Sequence, residues 1–136
     1  MSDANHGRGR PRALADVVGP PLLIAVGAFA GANLRYAVGL QLPGLAGTLA
    51  ANVLGSVALG LLLYRGRFVG RLSQEVRLLA GTGLLSSFTT YSTFVLDAVG
   101  AAPALALGYL VSTYALGFVG VLVGREVARR LSGGEP

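Results

Sequence analysis

Gly81–Phe94, GTGLLSSFTTYSTF, places six hydroxyl residues (Ser86, Ser87, Thr89, Thr90, Ser92 and Thr93) at the centre of a segment that carries no charge from Leu78 to Leu96. Only Phe88 and Tyr91 interrupt the hydroxyl run. A lipid-facing helix gains nothing from stacked hydroxyls, because each unpaired polar group in hydrocarbon costs on the order of several kcal/mol. Such a run is tolerated where it packs against protein or lines a watery path. The rest of the chain reads as a scaffold that holds it inside a membrane.

Composition supports that reading. Charged residues make up 12% of the 136 and hydrophobic residues 53%, against about 25% charged in an ordinary soluble domain. The 21 glycines favour closely packed transmembrane helices in a chain long enough for one domain. With no cysteine, disulfides, thiolate metal sites and cysteine nucleophiles are excluded. The net charge is +5 and all eleven basic residues are arginine. In a soluble protein that balance would point to nucleic acid. Here the arginines cluster between apolar segments, as in cytoplasmic loops, and no nucleic-acid motif accompanies them, so no nucleic-acid partner is expected.

Outward from the hydroxyl run, the spans follow. Residues 1–16 are polar, carry Arg8, Arg10, Arg12 and Pro11, and lack the apolar stretch of a signal peptide, so a disordered basic tail is expected. Val17–Leu34 is uncharged, and the run continues past Arg35 to Leu40 as a first span, 17–40. Pro20 and Pro21 read as its start, where a missing N–H costs nothing. Pro43-Gly44 marks the turn before a second span, 45–64. A loop with Arg65, Arg67, Arg71, Glu75 and Arg77 leads to a third, 78–100; Ala101-Ala102-Pro103 leads to a fourth, 104–124; residues 125–136 form a charged tail. Each span holds about the 20 residues needed to cross a core roughly 30 Å thick. The expected fold is an all-α membrane domain, 17–124, of four transmembrane helices.

Ten arginines fall on the side of the two termini and the second-to-third loop; only Arg35 falls on the other. By the positive-inside rule both termini are cytoplasmic in a cell-membrane protein. Gly27-x3-Gly31 and Gly120-x3-Gly124 are small-x3-small pairs that let helix backbones approach closely.

Several residues can carry chemistry. Thr48, Asn52 and Ser56 recur at i, i+4 and i+8 and share a helical face. Asn52 reads either as an interhelical hydrogen bond or as a donor on a polar path. Arg35 reads as an interfacial anchor or as an attractor of anions into a vestibule, with Asp97 its candidate partner. Tyr109, Ser112, Thr113 and Gly117 share a face of the fourth span, although membrane hydroxyls commonly bond their own preceding carbonyls. A serine protease would need a histidine or lysine base, and the spans hold neither. A proton-coupled exporter would need a carboxylate near the bilayer midplane; only Asp97 approaches one.

Hydroxyl and amide donors without a buried fixed charge suit a small, hard anion, and aromatic ring edges at Phe88 and Tyr91 can face one too. Carbonyls freed by a helix break at Gly81-Thr82-Gly83 suit a cation equally. The sign of the ion stays open at this point.

Three motifs taken together resemble the Fluc (CrcB) fluoride channel family: GAFAGANLRY from Gly27 to Tyr36, GTLxxNxxGSxxxG from Gly47 to Gly60, and SFTTYSTF from Ser87 to Phe94. The resemblance covers all four spans in order. It implies a fluoride-selective channel that exports toxic fluoride passively, built as an antiparallel dimer with two pores. It also implies a central structural sodium ion held by backbone oxygens at a break in the third span, here those of Gly83 and Ser86. The two Phe-box positions fall on Phe88 and Tyr91, with tyrosine in the second place a departure. Asn52 corresponds to a pore-facing asparagine, Thr89 and Thr90 to a hydroxyl track, and Tyr109, Thr113 and Ser112 to pore-facing positions of the fourth span.

The arginine bias bears on the dimer. A chain that pairs antiparallel with itself must insert both ways, which calls for balanced charge. Ten arginines against one implies a fixed orientation and a dimer with an oppositely oriented homologue. Two alternatives remain: a four-helix proton-coupled multidrug or metabolite transporter, and a structural subunit of a paired channel.

Overall fold

In the computed structural model, which describes residues 14–64 and 73–131, the chain is helical except at short joints. Helix α1 spans Leu14–Gln41 and α2 spans Leu45–Tyr64. Between them Gly44 takes a φ of 68°, the left-handed region that a residue without Cβ enters freely. A third helical stretch follows in pieces. It comprises the short α3, Gln74–Val76, a π-helical segment Arg77–Leu85, and one turn of α-helix, α4, Ser86–Phe88. Thr89, Thr90 and Tyr91 are not helical, and α5, Ser92–Gly100, resumes beyond them. The last helix, α6, runs from Pro103 to Leu131.

Val17–Gln41, Leu45–Leu63 and Pro103–Leu131 are long and apolar enough to cross a membrane. The 74–100 stretch is divided, and neither part has that length on its own. Outward faces are apolar: Phe29, Val99 and Phe118 are 75%, 79% and 72% exposed. So much apolar surface is what a hydrocarbon environment accepts and water does not.

Three boundaries differ from the sequence expectation. The first helix begins at Leu14, so Pro20 and Pro21 lie inside it rather than at its start. The carbonyls of Asp16 and Val17 thereby lose their i+4 donors. The last helix continues seven residues past Gly124, because Arg125–Leu131 keeps strong helix formers and meets no glycine or proline until Gly133. The chain also stays helical through Gly81-Thr82-Gly83 and leaves helix only after Phe88. The expected tail over 1–13, the arginine-rich loop over 65–72 and the final residues 132–136 lie outside the described residues.

Glycines set the packing. Helix α2 lies mainly on α6, and α1 on the π-helical segment and α4. A Cβ on Gly60 would strike the Val121 carbonyl, and one on Gly124 the Val57 carbonyl. On the other side, a Cβ on Gly27 would strike the Leu79 carbonyl and one on Gly31 that of Leu84. Both expected small-x3-small pairs are therefore places where one backbone rests on another. Ala51, fully buried, completes the seam on α2.

These contacts give a paired prediction. Gly124→Ala forces two backbones apart, with an expected cost of about 1–3 kcal/mol. Gly108→Ala, where nothing lies within 4 Å, should be tolerated. Thermal unfolding of the two variants in detergent, followed by circular dichroism, should show a clear drop in midpoint for the first alone.

Candidate functional site

The face of α2 that carries Thr48, Asn52 and Ser56 is where the broken stretch is held. Asn52 grips the main chain of Thr90 with both ends of its amide. Its Oδ1 accepts the Thr90 N–H at 2.8 Å, and its Nδ2 donates to the Thr90 carbonyl at 3.0 Å. A primary amide carries the same donor and acceptor as a peptide unit, so it can stand in for the helical bonds that a non-helical residue lacks. Thr89 lies in extended conformation (φ −78°, ψ 157°) just before this grip. Ser56 in turn donates to the Asn52 carbonyl at 2.8 Å.

Past the grip, the Thr90 hydroxyl restarts the helix. It accepts the Thr93 N–H at 3.2 Å, as an N-terminal cap does, and donates to the Thr93 hydroxyl at 3.1 Å. Two carbonyls thereby lose their helical donors to side chains. Ser86 would have received the Thr90 N–H, now on Asn52, and Thr89 would have received the Thr93 N–H, now on Thr90 Oγ1. The Gly83 carbonyl is engaged instead, since it accepts the Ser86 N–H. For a structural sodium ion held by main-chain oxygens, the Ser86 carbonyl fits. Gly83, buried against α1 with its carbonyl in use, fits poorly; Thr89 supplies the second released oxygen.

Two cavities meet at this point. One, of about 490 Å³, runs between α2, the π-helical segment and α6, lined by Asn52, Ser86, Thr89, Tyr91, Phe94 and Thr113 among others. The second, of about 380 Å³, is lined by Arg35, Thr48, Thr93 and Asp97 with parts of α1 and the Gly44 turn. Thr90, 8% exposed, belongs to the walls of both. Asn52 lines the first cavity and uses one of its two amide hydrogens on Thr90.

The structure brings Asn52, Ser86, Thr89, Thr90, Tyr91 and Thr113 to one cavity and Arg35 to the other. Phe88 lines neither; it sits between Gly31 of α1 and Gly55 of α2. The ring that joins Tyr91 in the first cavity is Phe94, with centroids 6.0 Å apart, and Phe94 also meets Tyr109 and Tyr114. Tyr109 is buried and points its hydroxyl at Asp97 Oδ2, 3.5 Å away, and Ser112 lines neither cavity. Thr89 and Thr113 donate to the preceding-turn carbonyls of Leu85 and Tyr109 at 3.0 and 2.7 Å, so they meet the cavity as acceptors.

Asp97 does not pair with Arg35. Both line the second cavity, yet among the described residues no ion pair joins them within 4 Å. The carboxylate instead takes the Thr48 hydroxyl at 2.6 Å and that of Tyr109, tying α2, α5 and α6 together. The sequence reading raised Thr48 and Asp97 and quoted Thr93 and Phe94 within the motif, but gave none of the four a pore role. The i−4 spacing from Asn52 pointed to Thr48, and the same face logic on α5, applied three, four and seven residues past Thr90, reaches Thr93, Phe94 and Asp97.

Residues 22–125 match the family model described as CrcB-like protein, Camphor Resistance (CrcB). The fluoride-specific ion channel FluC 1 of Haloarcula marismortui is 58% identical over 113 residues, covering 83% of this chain and 88% of the relative. FluC 2 of Halobacterium salinarum is 50% identical over 112 residues (82% and 88%), and FluC 1 of Natronomonas pharaonis 46% over 122 (88% and 97%); both carry the same fluoride-specific channel name. A match spanning most of the chain, and every helix that builds the two cavities, places this protein in the CrcB family.

Proposed function

We propose that the chain is a fluoride-selective channel that passively exports cytoplasmic fluoride and so lowers its toxicity. Membership of a channel family makes it a transport protein rather than an enzyme. The observation that carries the reading is the Asn52 amide, fixed on Thr90 at the junction of two cavities with a hydrogen left to donate. A small anion with a tightly held hydration shell needs strong, fixed donors, and a charge-assisted hydrogen bond of this kind is worth about twice a neutral one. Among the described residues, no carboxylate lines the first cavity to repel it. Arg35 opens the second cavity with a positive charge, and Asp97 has its oxygen turned to two hydroxyls.

The full assembly in this reading has four membrane spans, the third being the divided 74–100 stretch, and sits in the cell membrane with both termini cytoplasmic. Two chains pair antiparallel and form two pores. The exposure of Tyr91 at 73% supports a partner surface there, since its ring flanks the first cavity. A structural sodium ion is held at the helix break by the Ser86 and Thr89 carbonyls, and bound there it supplies positive charge to main-chain dipoles left without donors.

Ion efflux from liposomes loaded with potassium fluoride tests the function. Fluoride release without chloride release is the expected result, and its absence with this chain alone and with a paired homologue would overturn the reading. Asn52→Ala should cut fluoride flux about 10- to 100-fold, the loss of one hydrogen bond to a charged group plus the freed Thr90 main chain. The pairing is testable through orientation: with ten arginines on one side, tags on either terminus should be reachable from a single membrane face. Termini found on both faces in a conducting preparation of this chain alone would replace the mixed pair with a homodimer.

A further inference from the structure

Helix α1 packs with one face and leaves the other bare. Gly27 and Gly31 seat it on the third stretch. Turned away from that contact, Leu22, Val26, Phe29, Asn33, Tyr36 and Leu40 recur at alternating spacings of four and three residues. Asn33 is exposed, and the other five are 53% to 75% exposed. Four-three spacing draws a straight seam along a helix, the pattern by which two helices interlock. An apolar seam would suit lipid, but Asn33 does not. It lies within the span Val17–Gln41, eight residues before its end, roughly 12 Å at 1.5 Å per residue. One amide hydrogen goes to the Phe29 carbonyl at 2.7 Å. Among the described residues, the second hydrogen and Oδ1 have no partner. Lipid tails supply neither donor nor acceptor, so both groups are costly against hydrocarbon.

We propose that the α1 seam joins two copies of this chain side by side in the same orientation, locked in register by Asn33 against Asn33. The partial charges of a primary amide complement themselves: the N–H of each copy donates to Oδ1 of the other, which closes a two-fold pair. Val26 and Leu40, seven residues to either side, then meet their own counterparts. A copy displaced by one turn would leave both amides facing hydrocarbon. Depth selects the orientation. Asn33 lies four residues past Phe29, the midpoint of the span. Antiparallel copies meeting at Asn33 would offset their spans by eight residues, roughly 12 Å, whereas parallel copies meet with no offset. The contact rests on the single orientation inferred above from the arginines, and it links two units, each already paired with its opposite homologue. Asn33 lines neither cavity, so ion passage does not depend on its amide.

The chain has no cysteine, so introduced cysteines report the contact directly. Val26→Cys and Leu40→Cys, each in the full chain in liposomes at high lipid excess, should form disulfide-linked dimers on oxidation with copper phenanthroline. A mixture of the two variants carrying different tags should give no link between them. Leu34→Cys, also exposed but about 100° round the helix from Asn33, should stay monomeric. Adding Asn33→Leu should cut the Leu40→Cys link about 5-fold, and Asn33→Gln, which keeps an amide, should retain most of it. Fluoride efflux should be unchanged in both Asn33 variants. No link at either position, an equal link at Leu34→Cys, or a link indifferent to Asn33→Leu would each overturn the contact. Linkage of Val26→Cys to Leu40→Cys marks antiparallel copies and overturns it too; terminal tags then reachable from both membrane faces would sink the orientation reading as well.

Discussion

The architecture depends on one exchange of hydrogen bonds: the Asn52 amide for the helical partners of Thr90. A membrane helix can be interrupted only where its main-chain groups find other partners, since hydrocarbon offers none. Here the substitute comes from a neighbouring helix, so the interruption and the α2 contact cannot form separately. The Thr90 hydroxyl then closes the gap by capping α5. Two carbonyls are released as a consequence, and the break acquires an exposed, oxygen-rich edge that a continuous helix could not present.

Close backbone approach makes that exchange possible. Asn52 reaches Thr90 because Gly27 and Gly31 seat the third stretch on α1, while Gly60 and Gly124 draw α6 onto α2. Among the described residues few large side chains are buried; Phe94 and Tyr109 are the main ones. Main-chain contact and a handful of directed polar bonds hold the bundle where a soluble protein would use an apolar core. Asp97 works the same way at the other end, gathering hydroxyls from α2 and α6 onto one carboxylate oxygen.

Much of this was legible in the sequence. The Gly44 turn, the second helix to the residue, the face shared by Thr48, Asn52 and Ser56, and both glycine pairs follow from spacing alone. The break was harder. Glycines at 81 and 83 signal freedom, yet freedom does not break a helix that keeps its hydrogen bonds, and the structure sets Gly83 against the α1 main chain and Gly81 beside Leu62 of α2 within a continuous π-helical segment. What ends the helix is competition from Asn52, a long-range effect that no local pattern records. The second ring beside Tyr91 is Phe94, three residues after it, rather than Phe88, three residues before. Asp97 stood out as the one charge in its neighbourhood, but the nearest opposite charge was the wrong partner to assign it, because two hydroxyls in reach solvate a carboxylate with less reorganisation than a long guanidinium arm.

Thr90 forms part of the walls of both cavities. In the proposed channel, with each cavity open to one solution, the insulation between the two solutions would be about one residue deep rather than the thickness of a bilayer. Voltage falls where insulation is, so the transmembrane field would then concentrate on the Thr90 peptide unit and the Asn52 amide. The electrical work of crossing, about 2.3 kcal/mol per elementary charge for each 100 mV, is then done in a single short step between two hydrogen-bonded groups. An ion elsewhere along the path is electrically already on one side or the other.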